Sequence, residues 1–108
     1  MDFEHFGLYE ESYNKILEFF KTQPKVEMVK VYGSRAKGNY RHGSDIDFAV
    51  FGDLNYSDIS HIAYELYELP TPYKFDVTHY ETLQHEGLKE HIDRVGVVFY
   101  KKQKDTNK

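Results

Sequence analysis

The 108-residue sequence contains no cysteine and no tryptophan, and it has only three prolines. Without cysteine, the chain can form neither disulfides nor thiolate metal sites. No apolar stretch approaches the length that spans a membrane, and the first residues lack the basic and apolar regions of a secretory signal, so we expect a cytoplasmic protein. The formal net charge of −4 argues against direct nucleic-acid binding, which needs a basic face.

The length and composition predict one domain over residues 1–100, followed by a basic, disordered tail over residues 101–108. A domain of this size can bury a core without disulfide or metal staples. Aromatic residues make up 17% of the chain, and all of them are tyrosine or phenylalanine. This high aromatic content fits a core filled with aromatic side chains, and it also fits a protein with an obligate partner.

Apolar spacing predicts an α/β domain of alternating helices and strands. The predicted helices cover residues 8–21, 57–69 and 82–94, the predicted strands cover residues 26–32, 45–51, 74–80 and 97–100, and a short helical turn with a loop covers residues 34–44. Ser57 is the predicted N-cap of the second helix, and its predicted apolar face includes Ala63. Gly87 is a weak point within the third helix, and Gly96 is its predicted C-cap.

The most informative feature is a Gly-Ser pair after the first strand, followed ten residues later by two aspartates that flank Ile46. On a strand, Asp45 and Asp47 project to the same face, roughly 6.6 Å apart along the chain. Two adjacent carboxylates suit hard divalent cations, as in phosphoryl-transfer sites. Gly33 and Ser34 form a turn whose backbone N–H groups suit the phosphates of a metal-bound nucleotide.

The same residues also fit a tight loop followed by an edge strand with solvated carboxylates. The strand-like segments on both sides of the loop favour the site. Tyr32, just before Gly33, is interpreted as a strand core residue rather than as a platform for base stacking. The six histidines show no zinc-ligand spacing and are interpreted as surface or helix-end residues.

These motifs resemble those of the minimal nucleotidyltransferases, a branch of the DNA polymerase β-like superfamily that includes the antitoxins of HEPN/MNT toxin–antitoxin pairs. The resemblance covers nearly the whole chain. Its specific part lies at residues 33–38 and 44–47, and it continues through residues 74–77 and 88–98. It implies a nucleotidyltransferase fold of the α/β (α+β) type, with a mixed sheet of about four strands and helices packed on one side.

The resemblance implies a triphosphate-binding role for the turn after the first strand. Gly33 lets the backbone approach the phosphates, and the Ser34 hydroxyl and amide bind them. Arg35 and Lys37 would neutralise triphosphate oxygens. Ordinary solvation of two loop cations remains the alternative for this last pair.

The resemblance also implies a three-carboxylate metal site. Asp45 and Asp47 match the metal-binding pair, and Asp76 matches a third carboxylate that completes the site and accepts the proton of the attacking hydroxyl. The alternative for Asp76 is a solvated aspartate on an edge strand. Two Mg²⁺ ions about 4 Å apart are implied, with ATP as the substrate, and Mn²⁺ suits the same oxygen ligands.

The function implied by the resemblance is transfer of AMP from ATP to a hydroxyl group, a tyrosine, of a partner HEPN ribonuclease toxin. The chain would then act as the antitoxin. Two alternatives stay open: an antitoxin subunit without catalytic activity that neutralises the toxin by binding, and a nucleotidyltransferase for small molecules. The sequence leaves open whether the chain forms homo-oligomers or hetero-oligomers with the toxin.

Overall fold

A four-stranded sheet organises the part of the chain that the structure describes, residues 6–41 and 43–103. The structure is a computed structural model. Its helices are α1 (Glu10–Lys21), α2 (Ser34–Lys37), α3 (Tyr56–Glu68) and α4 (Glu86–Val95), and its strands are β1 (Val26–Tyr32), β2 (Ile46–Gly52), β3 (Phe75–His79) and β4 (Val97–Lys101). Within these described ranges, no helix has the length and apolar character needed to cross a membrane.

The sheet is mixed and has the strand order β3-β2-β1-β4. Strand β1 pairs antiparallel with β2 and β4, and β2 pairs parallel with β3. Helix α3 provides the crossover that a parallel pair requires. The predicted mixed sheet of about four strands is confirmed, and every strand ends within one residue of its predicted bounds.

The main core lies on one face of the sheet, under α1 and α3. Phe48 of β2 is fully buried there, together with Phe20 of α1 and Leu66 of α3. The rings of Phe20 and Phe48 meet edge to face at 5.3 Å, and each also contacts Phe99 of β4. Burying a phenylalanine side chain contributes about 1.5–3 kcal/mol. Ala63, predicted to face this core, is exposed instead.

Helix α4 packs on the opposite face of the sheet, so the expectation of helices on one side is wrong. Ile92 of α4 is buried against Tyr32 and Ala49, and Phe51 packs on the same cluster. Successive strand residues point to opposite faces of the sheet. The strand residues Tyr32 and Ala49 point away from the main core and are therefore buried by packing against α4. Asp47 shares this second face with Ala49, two residues before it in β2. The second face is therefore apolar under α4 and acidic at its other end.

Two helices begin at residues that the sequence analysis did not select. Helix α3 is capped by Asn55 rather than Ser57, because Asn55 and Asp58 form a reciprocal capping box with N···O distances of 2.8 and 2.9 Å. Helix α4 starts four residues later than predicted. Its N-cap is His85, whose Nδ1 atom accepts a hydrogen bond from the Leu88 amide. Its C-cap is Gly96, as predicted.

The Asn55→Ala variant is expected to be less stable by about 1 kcal/mol, because the substitution removes the side-chain half of the capping box. For a domain of this size, such a loss corresponds to a decrease in Tm of about 4–8 °C. Thermal unfolding followed by circular dichroism measures it. Ser57→Ala is the matched control, since Ser57 is exposed within the first turn. Equal losses in the two variants would contradict the assignment of the cap.

The last described residues continue the edge of the sheet. Strand β4 ends at Lys101, and the Lys102 amide donates to the Glu27 carbonyl at 2.9 Å. The Lys102 ammonium donates to the Pro24 carbonyl at 2.7 Å. Lys101 therefore belongs to the sheet and Lys102 is hydrogen-bonded beside it, whereas the sequence predicted a disordered tail from residue 101. Residues 104–108 lie outside the described residues.

Candidate functional site

The register of the parallel strand pair places two of the predicted aspartates side by side. Asp47 of β2 is aligned with Asp76 of β3. Both carboxylates project from the face opposite to the main core, because Phe48 and Phe75 point into that core. Asp45 lies two residues before Asp47, just ahead of the start of β2. Asp47 and Asp76 therefore share one end of one sheet face, and Asp45 lies in the loop that enters this end.

Electrostatics links the three carboxyl groups. The pKa of Asp47 is raised above its ordinary value, first by burial and then by the negative charges of Asp76 and Asp45. Asp47 is partly buried, whereas the other two are exposed. A carboxylate held in this way favours a partner that brings positive charge, such as a proton or a cation.

The carboxylates of the candidate site have the chemistry that a divalent cation requires of its ligands. Among the described residues, no group of three or more His, Asp or Glu side chains is gathered closely enough to hold a metal ion. Mg²⁺ does not need such a cage, because proteins usually bind it through one or two carboxylates together with substrate phosphates and water. The in-register pair of Asp47 and Asp76 offers hard oxygen ligands of this kind. These residues fit a cation that arrives with a triphosphate.

Gly33 lies directly against the Asp47 carboxylate. Its backbone has φ 78° and ψ −154°, and a Cβ at this position would collide with Asp47 Oδ2. Only glycine adopts this conformation readily. Ser34 then opens α2, a single helical turn closed by bonds from the Lys37 amide to the Gly33 carbonyl and from the Gly38 amide to the Ser34 carbonyl. The structure thus brings the predicted phosphate-binding turn and the acidic pair together.

The two predicted cations of this turn have different surroundings. Lys37 is exposed at the end of α2. Arg35 is only 4% exposed, and its guanidinium donates to the backbone carbonyls of Ser44 and Phe6. The Nε, Nη1 and Nη2 atoms of Arg35 are therefore directed to carbonyl oxygens inside the protein, and its predicted contact with triphosphate oxygens stays a prediction.

Tyr32 forms a wall between the acidic end of the face and α4. It is buried, its hydroxyl lies 3.3 Å from Thr78 Oγ1, and its ring meets His91 edge to face at 6.2 Å. Burial raises the pKa of the Tyr32 hydroxyl, the Thr78 hydrogen bond opposes this shift, and the charges of Asp76 and Asp47 add to it. Tyr32 is a core residue, as interpreted, but of the second face.

Sequence reasoning did not select Thr78 or His91 as neighbours of the site. For Thr78 a signal existed, since it lies two residues after Asp76 on the same strand and therefore on the same face. For His91 there was none, because its half-buried position depends on how α4 crosses the second face.

The chain was compared with known proteins. A family model described as "Polymerase beta, Nucleotidyltransferase" matches residues 14–105. Among curated proteins, none matches. Solved structures with the same fold include a chain from the crystal structure of a toxin–antitoxin with AMP-PNP, at 22% identity and a TM-score of 0.67, covering 89% of this chain and 76% of that one.

Two further structures are similar. One is a chain from tri-AMPylated Shewanella oneidensis HEPN toxin in complex with MNT antitoxin, at 19% identity and a TM-score of 0.65, covering 86% of this chain and 72% of that one. The other is a protein described as a minimal nucleotidyltransferase, at 23% identity and a TM-score of 0.65, covering 90% of this chain and 95% of that one. At these identities the likeness establishes the fold.

The match to the family model covers most of the chain and includes the Gly-Ser turn and all three aspartates of the candidate site. It agrees with the mixed sheet seen in the structure and with the fold of the similar structures. The chain therefore belongs to the polymerase beta nucleotidyltransferase family.

Proposed function

We propose that this chain transfers AMP from ATP to a tyrosine hydroxyl of a HEPN ribonuclease toxin and acts as its antitoxin. The observation that carries the proposal is the alignment of Asp47 with Asp76 beside the Gly33 turn. Membership of the family supports a transferase. The choice of AMP and of a HEPN partner is supported by similar structures described as a toxin–antitoxin with AMP-PNP and as an AMPylated HEPN toxin with MNT antitoxin.

In this proposal the turn and the carboxylates bind the nucleotide from two sides. The backbone N–H groups of Gly33 and Ser34 bind phosphate oxygens, and exposed Lys37 adds a positive charge near them. Asp45, Asp47 and Asp76 would hold Mg²⁺. When bound by these residues, Mg²⁺ would supply positive charge that stabilises the transition state of the transfer.

The transfer step is an in-line displacement at the α-phosphorus. The acceptor oxygen forms a bond to the α-phosphorus while the bond from that phosphorus to the oxygen bridging to the β-phosphate breaks, and pyrophosphate leaves. The proton of the acceptor hydroxyl passes to the Asp76 carboxylate. Most of the rate enhancement then comes from positioning and from charge stabilisation rather than from covalent chemistry of the protein.

The position of Asp76 favours an acceptor carried by another protein. Strand β3 lies at the edge of the described sheet, and Asp76 is exposed there. A tyrosine on a partner's surface can therefore approach the proposed base from beyond β3 without displacing any part of the sheet.

The proposal is tested by co-expressing the chain with a HEPN protein encoded beside it and measuring the intact mass of that partner. We expect increases by whole AMP residues with the wild type and none with Asp76→Asn. Asp53→Asn is the matched control, because Asp53 is also an exposed aspartate but follows the opposite end of β2.

Other outcomes favour the alternatives. A partner that is neutralised but unmodified would overturn the transferase proposal in favour of an inert antitoxin. Nucleotide transfer to small molecules, with an unmodified partner, would favour a small-molecule nucleotidyltransferase.

A further inference from the structure

Arg35 connects the chain segments that lead into the candidate site. It follows directly on the Gly33–Ser34 turn. Its Nε and Nη2 atoms donate to the Ser44 carbonyl at 3.2 and 3.0 Å, and Ser44 is the residue before Asp45. Its Nη1 atom donates to the Phe6 carbonyl at 2.9 Å, which ties in the segment ahead of α1.

Two tyrosine rings lie close to the same guanidinium. The carbon at its centre lies 4.9 Å from the centroid of the Tyr40 ring and 5.2 Å from that of the Tyr73 ring. Tyr40 belongs to the loop that leads to Asp45, and Tyr73 lies just before the strand that carries Asp76. One side chain therefore contacts the approaches to both acidic strands.

A backbone hydrogen bond joins the start of β2 to the segment before β3. The amide of Ile46, the first residue of β2, donates to the Lys74 carbonyl at 2.9 Å, and Lys74 follows Tyr73. The in-register pairing of Asp47 with Asp76 begins with this bond. The Arg35 contacts therefore act on both strands at the point where their register is set.

Because Arg35 is buried, its guanidinium depends on the hydrogen bonds and ring contacts described above. Arg35 is 4% exposed as a residue, and a buried charged group requires hydrogen-bond acceptors in fixed positions. The planar fork of arginine donates twice to one carbonyl while its faces stack on rings, and the ammonium of lysine does neither. Replacement by lysine would keep the charge and lose the geometry.

We propose that Arg35 is a positioning residue for nucleotidyl transfer, which aligns the Gly33–Ser34 turn, Asp45 and the strand bearing Asp76 without touching the nucleotide. The inference rests on the proposed function for its kinetic consequence. Its structural consequence, the alignment of the acidic strands, stands independently of that reaction.

Arg35→Lys is the central variant, compared with the wild type by kinetics, calorimetry and hydrogen exchange. We expect kcat for transfer to fall about 100-fold, the effect of a misplaced reacting group. By titration calorimetry, ATP with Mn²⁺ should bind more weakly, while ATP in the presence of EDTA should bind as it does to the wild type. Amides over residues 44–47 should exchange faster.

Two further variants separate positioning from loss of stability. Leu66→Ala removes buried apolar volume on α3, in the main core. We expect it to lower Tm without changing kcat or exchange over residues 44–47. Tyr40→Leu removes one ring from the guanidinium and should shift each readout in the same direction as Arg35→Lys, but less. It carries the test if Arg35→Lys does not fold.

An equal loss of ATP affinity with Mn²⁺ and with EDTA would overturn the inference, because it would indicate direct contact between Arg35 and the phosphates. Unchanged kcat and unchanged exchange over residues 44–47 would overturn it as well. A wild type without transfer activity would contradict the proposed function alone. In that case, the calorimetry and the exchange data still decide whether Arg35 aligns the site.

Discussion

The Asp47→Asn variant is expected to transfer nucleotide about 1,000-fold more slowly than the wild type, equivalent to about 4 kcal/mol of transition-state stabilisation. Asp47 is the central carboxylate of the three, aligned with Asp76 on one side and lying against Gly33 on the other. Asparagine keeps the size of the side chain and removes its negative charge. Single-turnover transfer from labelled ATP to the partner protein measures the loss.

The same substitution is expected to stabilise the fold at neutral pH. Burial, and then the charges of Asp76 and Asp45, raise the pKa of Asp47, so its ionised form is disfavoured in the folded state. Relief of a like-charge pair on neighbouring strands contributes about 0.2–1 kcal/mol. For a domain of this size, that corresponds to an increase in Tm of about 1–8 °C.

The pH dependence of this gain follows from the sign of the pKa shift. A raised carboxyl pKa favours folding at low pH, where the group is protonated, and this contribution is lost as pH rises through the folded-state value. The difference in Tm between Asp47→Asn and the wild type should therefore be largest near pH 7. It should vanish as pH falls toward 3.8, the ordinary aspartate value.

Asp53→Asn is the control for both measurements and should change neither transfer nor Tm appreciably, because Asp53 is exposed at the far end of β2. A variant at Asp47 that melts below the wild type at pH 7 would contradict the electrostatic interpretation. Full transfer activity in that variant would contradict the assignment of the site.

The central part of the site was predictable because it depends on local periodicity. Alternation within β2 and β3 places Ile46 and Phe75 in the core and leaves Asp47 and Asp76 on the other face. No long-range information was needed to predict that these carboxylates share a face. Their direct alignment, in contrast, is a property of the strand register, which the sequence pattern does not specify.

The role of Arg35 was not predictable in the same way. Its carbonyl acceptors lie 9 and 29 residues away in the sequence. Along the chain, Arg35 is adjacent to the Gly33–Ser34 turn, which the sequence predicts to bind phosphates. The start of α4 was also not predicted. His85 provides its N-cap, and histidine is outside the usual set of N-cap residues.

The Gly33→Ala variant is expected to reduce transfer about 100-fold and to lower Tm by about 10 °C. At φ 78° and ψ −154°, a residue with a side chain is strained by roughly 1–3 kcal/mol. In addition, the new methyl group would occupy the space of Asp47 Oδ2, so the carboxylate has to move away from its position beside Asp76. A displacement of this kind at a reacting centre accounts for the loss of rate.

Gly38→Ala separates the two effects. Gly38 also has a positive φ, 86°, but a Cβ there would meet no atom within 4 Å. The control therefore has backbone strain without a collision, and we expect a lower Tm with transfer largely retained. If both variants lost transfer equally, strain in the turn rather than displacement of Asp47 would explain the defect. If Gly33→Ala retained full activity, the turn would have no part in holding the nucleotide against the carboxylates.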